Sequence, residues 1–334
     1  PRETDQLFTA LRQMTREGKA VVFISHKLNE VMAVADEIAI LRRGRIVDEI
    51  PAATVSSRAE LATRMVGREV LLEVARPEVA HRQVVLRVVG LCGRNLKNID
   101  FSLRQGEILG VVGVAGNGQK PLVETICGLL RPQQGRVRIL GRSWEDFFAR
   151  HDWAGALSYI PEDRQGLATC RNLNLVDNFL LTTRKGFSRG PWLQKDRAAR
   201  KLAALVRDFN IQPPNVSALA RQLSGGNLQK MVLAREFFRR PRLIIAEQPT
   251  QGLDIAAIEE VWQLLLTARE KAGVLLVTGD LAEALALADR IAVMFDGRIM
   301  DIFAPSDGPR LARIGQLMAG IRPSPATTPA APPP

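Results

Sequence analysis

The sequence predicts an α/β fold: a mostly parallel sheet flanked by helices, an antiparallel β part near Val84 to Leu103, and a helical subdomain. Three observations carry this expectation. An apolar run, Gly106 to Val112, leads into a glycine-rich stretch, Gly113-Val114-Ala115-Gly116-Asn117-Gly118, after which Lys120 to Leu130 reads as a helix. A second apolar run, Leu243-Ile244-Ile245-Ala246, ends in acid at Glu247. A third pattern occurs twice: Val34-Ala35-Asp36-Glu37-Ile38-Ala39-Ile40-Leu41 aligns with Leu287-Ala288-Asp289-Arg290-Ile291-Ala292-Val293-Met294, an offset of 253 positions.

The same offset places Gly44-Arg45-Ile46-Val47 on Gly297-Arg298-Ile299-Met300, and Val21-Val22-Phe23-Ile24-Ser25-His26 on Val274 to Gly279. Each copy reads helix, buried strand, helix, strand, tight turn at glycine, strand. A repeat this long signals duplicated domains. Pro1 aligns with Asp254, so roughly 170 residues of a first copy are expected to be missing before Pro1. The expected organisation is a first-copy remnant over 1–66, a linker over 67–84 containing Pro77, a second copy over 85–322, and a disordered Pro/Ala-rich tail over 323–334. Within the second copy, Val84 to Leu91, Asn98 to Leu103 and Leu157 to Ile160 have strand character, and Arg171 to Ala220 read mostly as helices.

The chain has 334 residues, a hydrophobic content of 46% and a net charge of +11. Its Lys and Arg are scattered, with only short pairs such as Arg42-Arg43 and Arg239-Arg240. This reads as a solvated basic surface, with some affinity for an anionic membrane face. No apolar run approaches the ~20 residues that span a bilayer. Cys92, Cys127 and Cys170 have no metal-ligand spacing and read as reduced thiols of a cytosolic protein.

A strand, a glycine loop and a helix together aim backbone N–H groups and a helix N-terminus at phosphates. Pro121 fits the first helical turn, where no donor is needed. Without a ligand the same pattern is only a tight β-turn-helix. Between this loop and the acid-tipped strand stands Leu223-Ser224-Gly225-Gly226-Asn227-Leu228-Gln229-Lys230. The order and spacing resemble the P-loop nucleotide-binding cassette of ABC transporters, over essentially Pro1 to Arg322. The x-Q-P-T-x-G-L-D stretch ending at Asp254 and the Pro161-Glu162-Asp163-Arg164 loop resemble tandem-cassette importers of simple sugars and nucleosides. The nucleoside branch is the nearer match, from Ala246 to Asp254 and from Met65 to Leu72.

The resemblance implies bound ATP and Mg²⁺, and it exposes departures. The loop pattern G-x-x-x-x-G-K-[ST] has Gln119 at the lysine position and Lys120 at the hydroxyl position. Gln119 carries no charge for the phosphates, and Lys120 cannot ligate a metal. Glu247 stands for the usual Mg²⁺-ordering aspartate, and Gln248 for the glutamate that polarises water. An amide can orient water but does not take its proton. Gly279 holds the switch-histidine position. Glu162, at the place of a Mg²⁺- and γ-phosphate-sensing glutamine, is a second metal candidate.

Nucleotide contacts are expected at Gly113, Gly116, Asn117, Gly118, Gln119, Lys120, Pro121 and Glu162. In such cassettes, two copies close head to tail. Ser224, Gly225, Gly226 and Gln229 would then cover ATP held by the first copy, with His26 as its switch histidine and Asp254 in the loop crossing the interface. Asn227 to Arg239 is expected to continue as an amphipathic helix. The implied function is energy coupling in an importer, at the cytoplasmic face of the inner membrane, with two transmembrane permease subunits. An extracytoplasmic substrate-binding protein would act indirectly, and the first cassette would lie in the same chain. No nucleic acid is expected. Two alternatives stay open: a soluble tandem-cassette ATPase of translation or DNA metabolism, for which the sequence lacks long charged insertions, and a non-catalytic regulatory cassette.

Overall fold

The computed structural model describes residues 2–25, 28–42, 44–66, 79–80, 82–149 and 153–321. The chain divides into two compact units, residues 1–74 with 253–260, and residues 75–252 with 261–334. The expected linker and tail lie almost wholly outside the described residues, as does the catalytic candidate His26.

In the first unit, α1 (Arg2–Arg16) and α2 (Leu28–Val34) precede an antiparallel pair, β1 (Glu37–Arg42) and β2 (Arg45–Pro51), and then α3 (Arg58–Val66). Its core is small: Leu28, Ile38, Ile40, Val55, Leu61 and Ala62 close around Ile255. The buried strand expected at Val21 to Ile24 is not formed, and Val22 and Ile24 are 93% and 97% exposed. A fully buried strand needs a paired neighbour on each edge and a covered face on each side. Among the described residues of this unit, no strand pairs with 21–24.

The second unit opens on β3 (Val84–Gly93) and β4 (Leu96–Arg104), followed by β5 (Ile108–Val112) and α4 (Gln119–Ile126). Next come β6 (Gln134–Ile139), β7 (Arg142–Ser143), α5 (Trp144–Ala149), α6 (Trp153–Ala156) and β8 (Leu157–Ile160). A helical stretch follows with α7 (Leu175–Thr183), a small hairpin of β9 (Ser188–Arg189) and β10 (Trp192–Leu193), α8 (Lys195–Asp208) and α9 (Gly225–Phe238). The unit returns to the sheet with β11 (Leu243–Glu247), the part of α10 (Ile255–Arg269) from Val261 onward, β12 (Gly273–Thr278), α11 (Leu281–Leu287), β13 (Arg290–Phe295) and β14 (Arg298–Phe303), and ends in α12 (Gly308–Leu311) and α13 (Ile314–Met318).

Six strands make the main sheet in the order β14-β13-β5-β12-β11-β8, parallel throughout except for the edge strand β14. Four strands make the antiparallel sheet β4-β3-β6-β7. The runs β5, β11 and β12 are buried at every position, as strands with both faces covered must be. One apolar core joins the two sheets through residues such as Leu86, Leu103, Val111, Ile126 and Leu275. A second fills the helical stretch around Phe179, Leu202, Val206 and Met231.

The repeated pattern recurs in the elements themselves. α1 and α10, α2 and α11, and β1 and β13 each begin and end 253 positions apart, from 2–16 and 255–269 to 37–42 and 290–295.

Candidate functional site

Parallel strands carry their carboxyl ends to one edge, and ligands of open α/β sheets gather there. Register fixes what meets at this edge. Val112 lies opposite Thr278, Glu247 opposite Val277, and Ile160 opposite Ala246. The residues that leave the sheet together are therefore Gly113, Gly279, Gln248 and Pro161. The structure brings together the glycine loop, the acid-tipped strand and the position expected for a switch residue.

The glycine loop is braced at both ends. Gly118 caps α4 in the left-handed region at φ 106, a conformation that costs glycine little and other residues much. A Cβ at Gly113 would collide with the Met294 carbonyl oxygen. Asn117 ties the loop to the turn between β13 and β14: its Oδ1 accepts from the Asp296 N–H at 2.8 Å and its carbonyl from the Gly297 N–H at 2.9 Å. Lys97 closes the other side of that turn with an ion pair to Asp296 at 2.7 Å. α4 is shorter than its expected span to Leu130, because Gly128 turns left-handed at φ 82. Gln119 reaches back across the loop, and its Nε2 donates to the Val114 carbonyl at 3.1 Å. Lys120 stands exposed. The amide at 119 thus commits one of its two N–H donors to the loop, and the ammonium at 120 faces solvent.

At the neighbouring strand tip, Glu247 is buried and its Oε2 accepts from the Tyr159 hydroxyl at 2.7 Å. Burial, then this bond to Glu247, pushes the Tyr159 hydroxyl well above its ordinary value, so it remains a donor. Burial first and Glu247 second also push the Cys127 thiol up. Gln248 is held at φ 46, with its N–H on the Val277 carbonyl at 2.8 Å and its Oε1 accepting from the Gly279 N–H at 3.2 Å. The switch position therefore offers a backbone N–H, already engaged, where an imidazole was the family expectation.

These groups do not fit a Mg²⁺ ion held by the protein. One oxygen of Glu247 is engaged by Tyr159, Glu162 is exposed, and position 120 offers an ammonium in place of a hydroxyl. Among the described residues, no group of three His, Cys, Asp or Glu side chains could hold a metal.

The Pro161–Arg164 loop turns on Asp163, whose Oδ1 accepts from the N–H groups of Gln165 and Gly166. Arg164 then joins three segments: its Nε donates to Gln229 Oε1 on α9 at 2.7 Å, and its Nη2 donates to the Gln251 carbonyl. The sequence reading quoted this arginine in a motif without giving it a role. It missed Tyr159 as well, although the chain contains a single tyrosine and that residue precedes the loop.

Ser224 caps α9, with its Oγ accepting from the Asn227 N–H and, at 2.9 Å, from Asn227 Nδ2. Both acceptor directions are used, so the hydroxyl proton is left to point outward. Ser224 and Gly225 are exposed and Gly226 half-buried, at the end of a 14-residue helix whose first N–H groups have no intrahelical partner. Beyond this end α9 is not amphipathic, as expected from the sequence, but buried without a break from Leu228 to Glu236. Its charges are satisfied internally. Lys230 Nζ donates to the Asn210 carbonyl, and Glu236 pairs with both Arg235 and Arg239. In the first unit, Asp254 Oδ1 accepts from the Ala257 N–H at 2.8 Å and starts α10.

Residues 96–251 match the family model for ABC transporters. The chain is 39% identical over 331 residues to a glucose import ATP-binding protein, TsgD13 of Haloferax volcanii, covering 96% of this chain and 60% of that protein. It is 33% identical to the nucleoside import ATP-binding protein NupA of Lactococcus lactis subsp. cremoris, covering 96% and 65%, and 36% identical to the ribose import ATP-binding protein RbsA 2 of Rubrobacter xylanophilus, covering 96% and 62%. The chain thus spans 60 to 65% of the length of these curated relatives. A solved ATP-binding subunit of an ABC transporter superposes with a TM-score of 0.59 at 25% identity, over 70% of this chain and 99% of that one. The cassette MJ0796, in a post-hydrolysis dimer bound to ADP and Pi, shares the fold with a TM-score of 0.56 at 24% identity, over 66% and 98%. The protein has the P-loop ABC ATPase fold, and it carries an ABC ATPase domain.

Proposed function

We propose that this chain is the energy-coupling part of an ABC importer for simple sugars or nucleosides, working by ATP at a site it completes and not at the site it contains. The observation that carries this is the contrast between two ends. At the start of α9 Ser224 and Gly225 are exposed and Gly226 is half-buried, with N–H groups and a hydroxyl to offer. The glycine loop has its Gln119 folded across it, and the positions expected to supply lysine, base and imidazole hold Gln119, Gln248 and Gly279.

In this reading residues 1–66 close a first cassette whose central sheet is supplied by residues preceding Pro1 in a longer tandem protein. The exposed Val22 and Ile24 support it, since their second-copy counterparts in β12 are buried between β5 and β11. ATP, accompanied by Mg²⁺, then sits on the first cassette's phosphate loop. His26 approaches its γ-phosphate, and Ser224, Gly225 and Gly226 donate to it from the opposite side. Asp254 lies in the loop that crosses between cassettes. The site at Gly113–Pro121 retains nucleotide or serves as structure, with Glu247 and Gln248 as remnants of a hydrolytic pair and Glu162 as a contact of the loop before Arg164. The names of the relatives, import ATP-binding proteins for glucose, nucleosides and ribose, support import as the work; with it the reading takes two permease subunits as partners, an extracytoplasmic binding protein as the indirect source of substrate, and the cytoplasmic membrane face as the place. No helix among the described residues is long and apolar enough to cross a membrane.

The test has two arms. The chain alone, given ATP and Mg²⁺, should release phosphate at the level of a blank, since loss of a positioned base costs ~10²–10⁴-fold. The longer tandem protein should copurify with two multi-span membrane proteins and hydrolyse ATP with them. Turnover by the chain alone on the order of 1 s⁻¹, abolished by Glu247→Ala, would overturn the asymmetry.

A further inference from the structure

We propose that the β9–β10 hairpin and the start of α8 form a docking surface for anionic phospholipid, touching the bilayer directly beside whatever protein holds the chain there. The proposal rests on the reading of the chain as a subunit at a membrane face. Its first observation is charge. The 18 residues from 184 to 201 contain seven Lys and Arg side chains against one carboxylate, Asp196, so this segment supplies +6 of the chain's +11. All seven basic residues are exposed. More than half of the chain's net positive charge is therefore contributed by one short segment.

The second observation is an apolar tip within that charge. Trp192 is 77% exposed and Leu193 41% exposed, although both lie in a strand. Trp192 pairs in register with Arg189 across the hairpin. An open depression next along the chain is lined by Leu193, Gln194, Lys195, Asp196, Arg197 and Arg200, three cations against one carboxylate. Lys195 bonds to Asp177 at 2.7 Å, and the Arg197 guanidinium lies 5.9 Å from the centroid of the Phe187 ring. Among the described residues no carboxylate pairs with Arg184, Lys185, Arg189 or Arg200.

The tip is held by its base and not by its own contacts. Phe187 is buried, its carbonyl accepts from the Gln194 N–H at 2.8 Å, and Ser188 Oγ donates to the Arg184 carbonyl at 2.9 Å. The helical core thus presents an indole and an isobutyl group outward, with Arg189 opposite the indole and Lys195, Arg197 and Arg200 sharing the depression with Leu193. An indole has an apolar body and one N–H, and such rings settle at headgroup depth. Cations around it reach lipid phosphates. An acidic protein surface would satisfy the cations and leave Trp192 and Leu193 in a polar contact. A nucleic acid could stack on Trp192 but would find no use for Leu193 beside it.

The experiment is cosedimentation of the full chain with vesicles of phosphatidylcholine alone and of phosphatidylcholine mixed with phosphatidylglycerol. The chain should bind the mixed vesicles, weaken with salt, and ignore the neutral ones. Each cation near an anionic surface is worth ~1 kcal/mol, so Arg189→Glu with Arg197→Glu should weaken binding about a hundredfold or more. Trp192→Ala should weaken it about tenfold, and the fluorescence blue shift on binding should vanish in Trp192→Phe. These side chains are exposed, and unchanged thermal melts would show that the variants fold. Equal binding by wild type and the charge-reversed variant overturns the proposal. So does failure to bind anionic vesicles, including the case in which RNA or an acidic protein binds through the same residues. The vesicles hold no permease, so this result and the copurification result stand or fall separately.

Discussion

Replacing Glu236 by alanine tests how the helix that presents Ser224 is anchored. Glu236 is 1% exposed. Its Oε1 takes the Arg235 Nε at 3.0 Å and the Thr182 hydroxyl at 3.1 Å, and its Oε2 takes Arg239 Nη1. The two guanidinium groups reach onward to the Ala168 and Leu157 carbonyls, both at 2.8 Å. One carboxylate therefore neutralises two buried cations where α9 meets α7, β8 and the turn after Arg164. Removing it leaves both charges buried, and breaking a buried pair in this way costs ~3–5 kcal/mol. Against a domain stability of ~5–15 kcal/mol, that is a large share. Urea unfolding followed by circular dichroism should show this loss, with Tm lower by roughly 6–20 °C. Glu236→Gln keeps an acceptor for Thr182 while removing the charge, and should lose most of the same stability. Lys195→Ala, which breaks a pair with side chains 60% and 24% exposed, should cost under ~1 kcal/mol. A loss below ~1 kcal/mol in Glu236→Ala would refute the reasoning, because the guanidinium charges would then be solvated in solution.

In the longer tandem protein with its permeases, Gly226→Asp should lower uptake and ATPase by about a hundredfold or more, since a carboxylate ~4 Å from a phosphate is opposed by several kcal/mol. Gln119→Ala should leave both activities within a few fold, and the reverse pattern would exchange the working and degenerate sites. Limited proteolysis of the chain should cut within residues 1–66 before the second unit, because Val22 and Ile24 lack cover; equal protection would show that the segment has found another core. Burial raises the Glu283 carboxyl above 4.5, against bonds from the Thr250 hydroxyl at 2.7 Å and Trp262 Nε1 at 3.2 Å. As pH rises past 4.5 the unfolded chain ionises this group first, so the native state loses stability until pH passes the raised folded value, after which the penalty is constant. Glu283→Gln should therefore flatten the pH dependence of Tm over that window, and an unchanged slope would remove Glu283 as its source.

What the sequence made legible was the part governed by local chemistry. The run into Gly113, the run into Glu247 and the helical stretch after Ser224 each announce an element by pattern, and each is found close to where the pattern puts it. Three features depended on tertiary partners and were not legible. Val21 to Ile24 have the composition of a buried strand, but pairing decides whether a strand forms. The charges of α9 suggested a wet face, yet Arg235, Glu236 and Arg239 satisfy one another inside. Tyr159 and Arg164 gain their roles from Glu247 and Gln229, partners 88 and 65 positions away.

The order of the main sheet also sets a timetable for the newly made chain. β5, which delivers the glycine loop, is flanked by β12 and β13, and both are made more than 150 residues after it. A ribosome moving at ~5–20 residues per second leaves that strand without either neighbour for roughly ten seconds or more. Its all-apolar sequence must be kept from other chains during that interval, and closing so long a loop is a slow step. The bonds that brace Asn117 from outside the loop await the turn at Asp296 and Gly297, later still in the chain. A chain stopped before that turn would contain every residue of the loop and still lack the two bonds that tie Asn117 to Asp296 and Gly297.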